Sequence, residues 1–100
     1  MYIKVIDYVG QAPYPDQGIW FRNNVFYPYL IRAIEEKDKV ILDFDGAYGY
    51  PTTFIKNIFS EITERLLNKY VIIVNQEYDY MENEVKSFCK KKEKVKKRGN

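Results

Sequence analysis

Two short, unbroken apolar runs constrain this chain more than any other feature. Val40-Ile41-Leu42 and Tyr70-Val71-Ile72-Ile73-Val74 are bounded by polar residues and have the length of strands. Between them Phe54, Ile55, Ile58, Phe59, Ile62 and Leu66 recur at helical spacing, which predicts one long amphipathic helix. Continuous apolar runs suit strands covered on both faces. Two such strands joined by a helix form a parallel βαβ unit with a right-handed crossover.

The rest of the chain extends this unit. Residues 2–9 are β-branched and aromatic, which predicts a first strand with Ile3, Val5 and Val9 on one face. Residues 10–18 carry Gly10, Pro13, Pro15 and Gly18 and read as a loop. From Trp20 to Glu36 the pattern is helical, with Phe26, Leu30, Ala33 and Ile34 on the apolar stripe. Pro28 requires that this helix start near Val25–Tyr27 or kink. Thr52 or Thr53 is placed to cap the next helix, and Glu61 and Arg65 fall four apart along it. Met81, Val85 and Phe88 mark a last helix that runs toward the lysine-rich end. The expected fold class is α/β: a small mixed sheet with a parallel βαβ core and about three helices. Residues 1–89 form the domain and residues 90–100 a basic tail.

Composition excludes several kinds of chemistry. The chain of 100 residues has no histidine and one cysteine. His-based triads, His-ligated zinc and an internal disulfide are therefore impossible. Neither a Walker loop nor a G-x-G-x-x-G motif occurs, and no cofactor is expected. No stretch approaches the ~20 apolar residues of a membrane span. The N-terminus has too much charge for a signal peptide. A cytoplasmic protein without a membrane role is the expectation. The formal charge of +2 hides an asymmetry: Lys90, Lys91, Lys92, Lys94, Lys96, Lys97 and Arg98 crowd the end, so that residues 1–89 are net acidic.

The candidate site lies where the central strand hands over to the second helix, since ligands of open α/β sheets gather at that edge. Asp43 and Asp45 stand there, followed by the loop 46–52 with Tyr48 and Tyr50. Two carboxylates at i and i+2 share a strand face, an arrangement that suits a divalent cation or acid–base chemistry. Without further acidic ligands nearby, hydrogen bonding to the loop backbone is the stronger reading. Tyr48 and Tyr50 offer contact area and hydroxyls to a partner surface. The lysine tail favours phosphates or an acidic partner, and equally suits the end of a helix. Cys89, with no histidine to serve as its base, reads as an unreactive thiol.

The segment Gly18-Ile-Trp-Phe-Arg22, a helix, Val40-Ile-Leu-Asp43-Phe-Asp-Gly46-Ala and then Thr52-Thr53-Phe54 resembles the STAS-like domains of unknown function. These are small relatives of the sulfate transporter and anti-sigma factor antagonist domain. The resemblance implies a non-catalytic regulatory module. Its partner would be an ATPase of the histidine-kinase-like fold, bound through Asp43, Asp45, Tyr48, Tyr50 and Thr52. It further implies phosphorylation at Thr52, with Thr53 as the neighbouring hydroxyl, and repulsion of an acidic partner by the added phosphate. One position departs from the pattern: Pro51 stands where the antagonist proteins commonly carry an acid.

Two other readings compete with a protein-binding regulator that is not an enzyme. One is a small phage or mobile-element inhibitor docking on a nucleic-acid-handling complex, for which an acidic body is suited. The other is direct nucleic-acid binding through residues 90–98 and the tyrosines, which predicts a steep salt dependence.

Overall fold

The computed structural model describes residues 1–76 and 81–91. Its centre is the strand β2 (Val40–Asp43), flanked by β1 (Tyr2–Lys4) and β3 (Val71–Val74). Both pairings are parallel, with Ile3 opposite Leu42 and Leu42 opposite Ile73. The expected βαβ unit is present, repeated on the other side of β2, and the sheet is parallel throughout rather than mixed. The element count exceeds about three helices because the predicted helices divide and new short ones appear.

The first strand is less than half as long as its composition suggests. Val5 turns into the right-handed helical region, and α1 (Ile6–Val9) follows, closed by Gly10 at φ 80°. Val5 and Val9 are both buried, and their separation of four fits either a strand face or a helix face. The sequence pattern was therefore consistent with both, and the tertiary contacts select the helix.

Pro28 is accommodated by a local widening. The helix begins earlier than expected, at α2 (Gln17–Phe21), passes through a π-helical turn at Arg22–Phe26 and continues as α3 (Tyr27–Glu36). Pro28 thus falls in the first turn of α3, where its missing N–H is least costly. The Asn24 amide donates to the Trp20 carbonyl within the altered turn.

The second crossover is also broken, into α4 (Thr52–Phe59) and α5 (Glu64–Tyr70). Thr63, not Thr52 or Thr53, is the capping side chain: its hydroxyl accepts from Leu66 N at 3.2 Å. Pro51 occupies the cap position of α4. Glu61 lies between the two helices, so the expected Glu61–Arg65 helical pair is absent. The freed Ile62 carbonyl accepts from Lys90 N at 2.7 Å, which fixes the chain after α6 (Met81–Phe88). The last helix therefore stops before the lysines.

Successive crossovers of one hand that step the same way across a sheet place their helices on the same face. Consistently, α2 packs on α4 and α3 on α5. Ile3, Val40 and Leu42 point into this layer and are buried with Phe21, Phe26, Phe54, Ile58 and Phe59. The opposite face is not closed among the described residues: Tyr2 and Ile72 are exposed and Ile41 is half-buried. The expectation of strands covered on both faces is corrected accordingly.

The α2–α4 contact depends on a glycine. A Cβ at Gly18 would lie 2.4 Å from the Phe54 carbonyl oxygen and 2.9 Å from Asn57 Cβ. Backbone cannot withdraw as a flexible side chain can. Gly18→Ala is expected to cost about 2 kcal/mol, the scale of an overpacked core, read as a fall in the urea midpoint at unchanged slope.

Candidate functional site at the carboxyl edge of the sheet

Asp43 ends β2, and its carboxylate is fully engaged. Oδ1 accepts from Asp45 N and from Asn75 Nδ2, each at 2.9 Å, and Oδ2 accepts from the Tyr2 hydroxyl. These donors come from β1, from the loop after β2 and from the end of β3. The carboxylate therefore ties β1, through the Tyr2 side chain, to the carboxyl ends of β2 and β3. Burial raises its pKa, but the bonds from Tyr2, Asn75 and the Asp45 N–H, with the positive charge of Lys4, together lower it below the usual carboxylate value. The same contact raises the pKa of the Tyr2 hydroxyl.

The two carboxylates do not converge. The strand ends at Asp43, so Asp45 lies in a turn, where its N–H bonds back to Asp43. Asp43 is buried and Asp45 exposed. Asp43 is thus the loop-capping group that the sequence favoured, and it offers no surface to a partner. No group of three or more metal-ligating side chains occurs among the described residues.

The loop itself is held firmly. Gly46 adopts φ 94°, a conformation L side chains rarely take, with Ile6 packed against its α-carbon. The Gln11 amide donates to the Gly46 carbonyl at 3.1 Å, and Tyr48 N donates to the Gln11 carbonyl at 2.8 Å. Tyr48 projects from this frame and is 83% exposed. Tyr50 does the opposite. It is buried, stacks on Phe54 at 5.4 Å and 16°, and meets Phe44 edge-on at 5.4 Å. The expected surface role of Tyr50 is replaced by an anchoring one, because its ring packs between Phe44 and Phe54.

Thr52 and Thr53 open α4, both exposed, and neither side chain caps the helix. Lys90 and Lys91 are exposed. Lys92, Lys94, Lys96, Lys97 and Arg98 lie outside the described residues. Cys89 is buried, its thiol facing the Val85 carbonyl at 3.4 Å; burial and the charge of Glu64 raise its pKa against the opposing effect of Lys91. It is a core thiol.

Sequence reasoning missed Tyr2, Gln11 and Asn75, whose roles depend on contacts between residues more than 30 positions apart. It also missed a cleft of about 410 Å³ beside the same edge, lined by Tyr8, Asp16, Gln17 and Trp20. The one available signal was Trp20, the only tryptophan in the chain.

A parallel α/β core with a braced strand-to-helix loop defines the general class of this domain. The family model described as a STAS-like domain of unknown function matches residues 24–77, from the π-helical turn past β3. The chain belongs to that family. No curated protein and no solved structure matches it. No helix among the described residues is long and apolar enough to cross a membrane.

Proposed function

We propose that the chain is a non-catalytic regulatory module that binds a partner protein through the surface from Asp45 to Thr53. The observation that carries this reading is Tyr48. A large aromatic left 83% exposed on a loop braced at both ends is costly to leave in water and ready to contact a partner. Bracing means that little ordering entropy remains to be lost on binding. Asp45 adds a carboxylate with no ion pair among the described residues. The partner class is the one the resemblance implies, an ATPase of the histidine-kinase-like fold.

Thr52 and Thr53 are the proposed points of regulation. A phosphate on either would lie at the first turn of α4, where the helix dipole favours negative charge. It would alter the charge that the partner meets without disturbing the core, because both side chains are exposed.

A photo-crosslinking phenylalanine analogue at position 48, in the cells the chain comes from, tests the reading. It is expected to yield a discrete adduct with one protein. The same group at position 34, at the opposite edge of the domain, is expected to yield none. Equal adducts from both positions, or none from either, would overturn the proposal.

A further inference from the structure

Resting on the protein-binding role of this edge, we propose that the cleft between Tyr8 and Trp20 receives an arginine side chain from an extended basic segment of the partner protein. The cleft lies N-terminal to the segment that the family model matches. It holds about 410 Å³ between two aromatic walls, Tyr8 and Trp20, that are 42% and 48% exposed.

The walls are fixed before any ligand arrives. Tyr8 rests edge-on against Phe21 at 6.1 Å, with its hydroxyl near that of Tyr29. Gln17 Oε1 accepts from Tyr14 N at 2.7 Å, which holds the floor. Ile19 N bonds to the Asp16 carbonyl at 3.1 Å and Asn24 to the Trp20 carbonyl, so that the turn bearing Asp16 and Trp20 is set. Asp16 is exposed, and its carboxylate has no ion pair or hydrogen bond among the described residues.

The surroundings select a cation. Residues 5–21 and 40–55 build this end of the molecule and are joined by the Val5–Asp43, Gln11–Gly46 and Tyr48–Gln11 bonds. Together they contain Asp7, Asp16, Asp43 and Asp45, and Lys4, Arg22 and Lys56 border them, Lys4 acting on Asp43 and Arg22 donating to the Asn57 carbonyl. Lys37, Lys39 and Lys69 instead line a cleft at the other edge of the sheet. The carboxylates nearest the aromatic cleft, Asp16 in its lining and Asp7 acting on Tyr8, draw positive groups to it and disfavour phosphate. Among cations, guanidinium fits best. Its plane stacks on tyrosine and indole rings, and its fork pairs with a carboxylate. The cleft is too open to hold a small ion alone, which favours a peptide that brings flanking contacts.

The intact chain carries its own reporter, because Trp20 is the sole tryptophan. An alternating Arg-Gly peptide is expected to change its emission saturably, with affinity falling as salt rises. The matching Lys-Gly peptide should bind several-fold more weakly, and a Glu-Gly peptide and oligothymidine should not bind. Asp16→Asn should weaken the Arg-Gly peptide about fivefold, the scale of one part-exposed ion pair. Glu36→Gln, at the opposite edge, should leave it unchanged. In the full chain, replacing Lys92, Lys94, Lys96, Lys97 and Arg98 by glutamine should also leave affinity and the free spectrum unchanged. A rise in affinity there would identify the protein's own basic segment as the occupant and overturn the proposal. So would an absent Arg-Gly response, a response to Glu-Gly or oligothymidine, or indifference to Asp16→Asn. If the peptide fails while the position-48 adduct forms, only the arginine assignment falls. If both fail, the surface reading falls as well.

Discussion

Phe54→Ala is expected to remove about 4 kcal/mol, close to the whole stability of a small domain. Phe54 is fully buried in the first turn of α4, stacked on Tyr50 and seated beneath α2, where its carbonyl touches Gly18. Truncation leaves a cavity bounded by two helix backbones in close contact, so the site cannot collapse to fill it. The lost stacking adds about 1 kcal/mol to the cavity cost. Urea unfolding should show a sharply lower midpoint at unchanged slope. Phe54→Leu, which keeps most of the volume, should recover more than half of the loss. A change under about 2 kcal/mol for the alanine variant would mean that α2 and α4 do not pack as described. The consequence reaches the site, because Tyr50 anchors the loop that presents Tyr48. In the leucine variant, the amide of Tyr48, bonded to Gln11, should exchange with solvent faster than in the natural chain while the amides of β2 keep most of their protection.

What the sequence could reveal follows from how local each signal is. Val40–Leu42 and Val71–Val74 are apolar runs too short for helices, and both are strands. The stripe at Met81 and Val85 belongs to a helix whose buried residues are those two. The most specific part of the family resemblance, Val40–Phe54, is covered by the family match, whereas Gly18–Arg22, which also carried it, lies outside. Ambiguity arose where two periods share a spacing. Val5 and Val9 satisfy strand and helix alike, and Ile62 continues the helical stripe across a break that Thr63 creates. The site was legible in position but not in orientation. Asp43, Asp45, Tyr48 and Tyr50 all fall at the predicted edge, yet Asp45 and Tyr48 face out while Asp43 and Tyr50 face inward. Which member does so depends on Tyr2, Gln11 and Asn75, which come from other strands and loops. The aromatic cleft joins α1 to α2, and the strand expected at residues 2–9 would have placed Tyr8 in a sheet instead.

Asp43→Ala is expected to cost about 3 kcal/mol and to loosen the carboxyl edge as a unit. The substitution orphans the Asp45 N–H and strips the Tyr2 hydroxyl and Asn75 amide of a charged acceptor. The loss is smaller than three independent charged hydrogen bonds because Tyr2 and Asn75 are exposed and water replaces Asp43 there. Acid titration separates this role from simple packing. The folded state holds the Asp43 pKa below its value in the unfolded chain. Its contribution is therefore complete above the unfolded value and is lost as pH falls through the folded one. The natural chain should lose stability below about pH 4, and Asp43→Asn, which keeps the shape without the charge, should lose correspondingly less over that range. Tyr2→Phe should move the Asp43 pKa upward, as followed by carboxyl NMR, because it removes the strongest of the bonds that lower it. An unmoved pKa would show that Asn75 and the Asp45 N–H suffice, and that β1 is not held to the edge through this carboxylate. The distinction matters for binding. If Asp43 is the tie between strands, its loss should weaken partner contacts at Tyr48 and at the Tyr8–Trp20 cleft together, although its own side chain is buried.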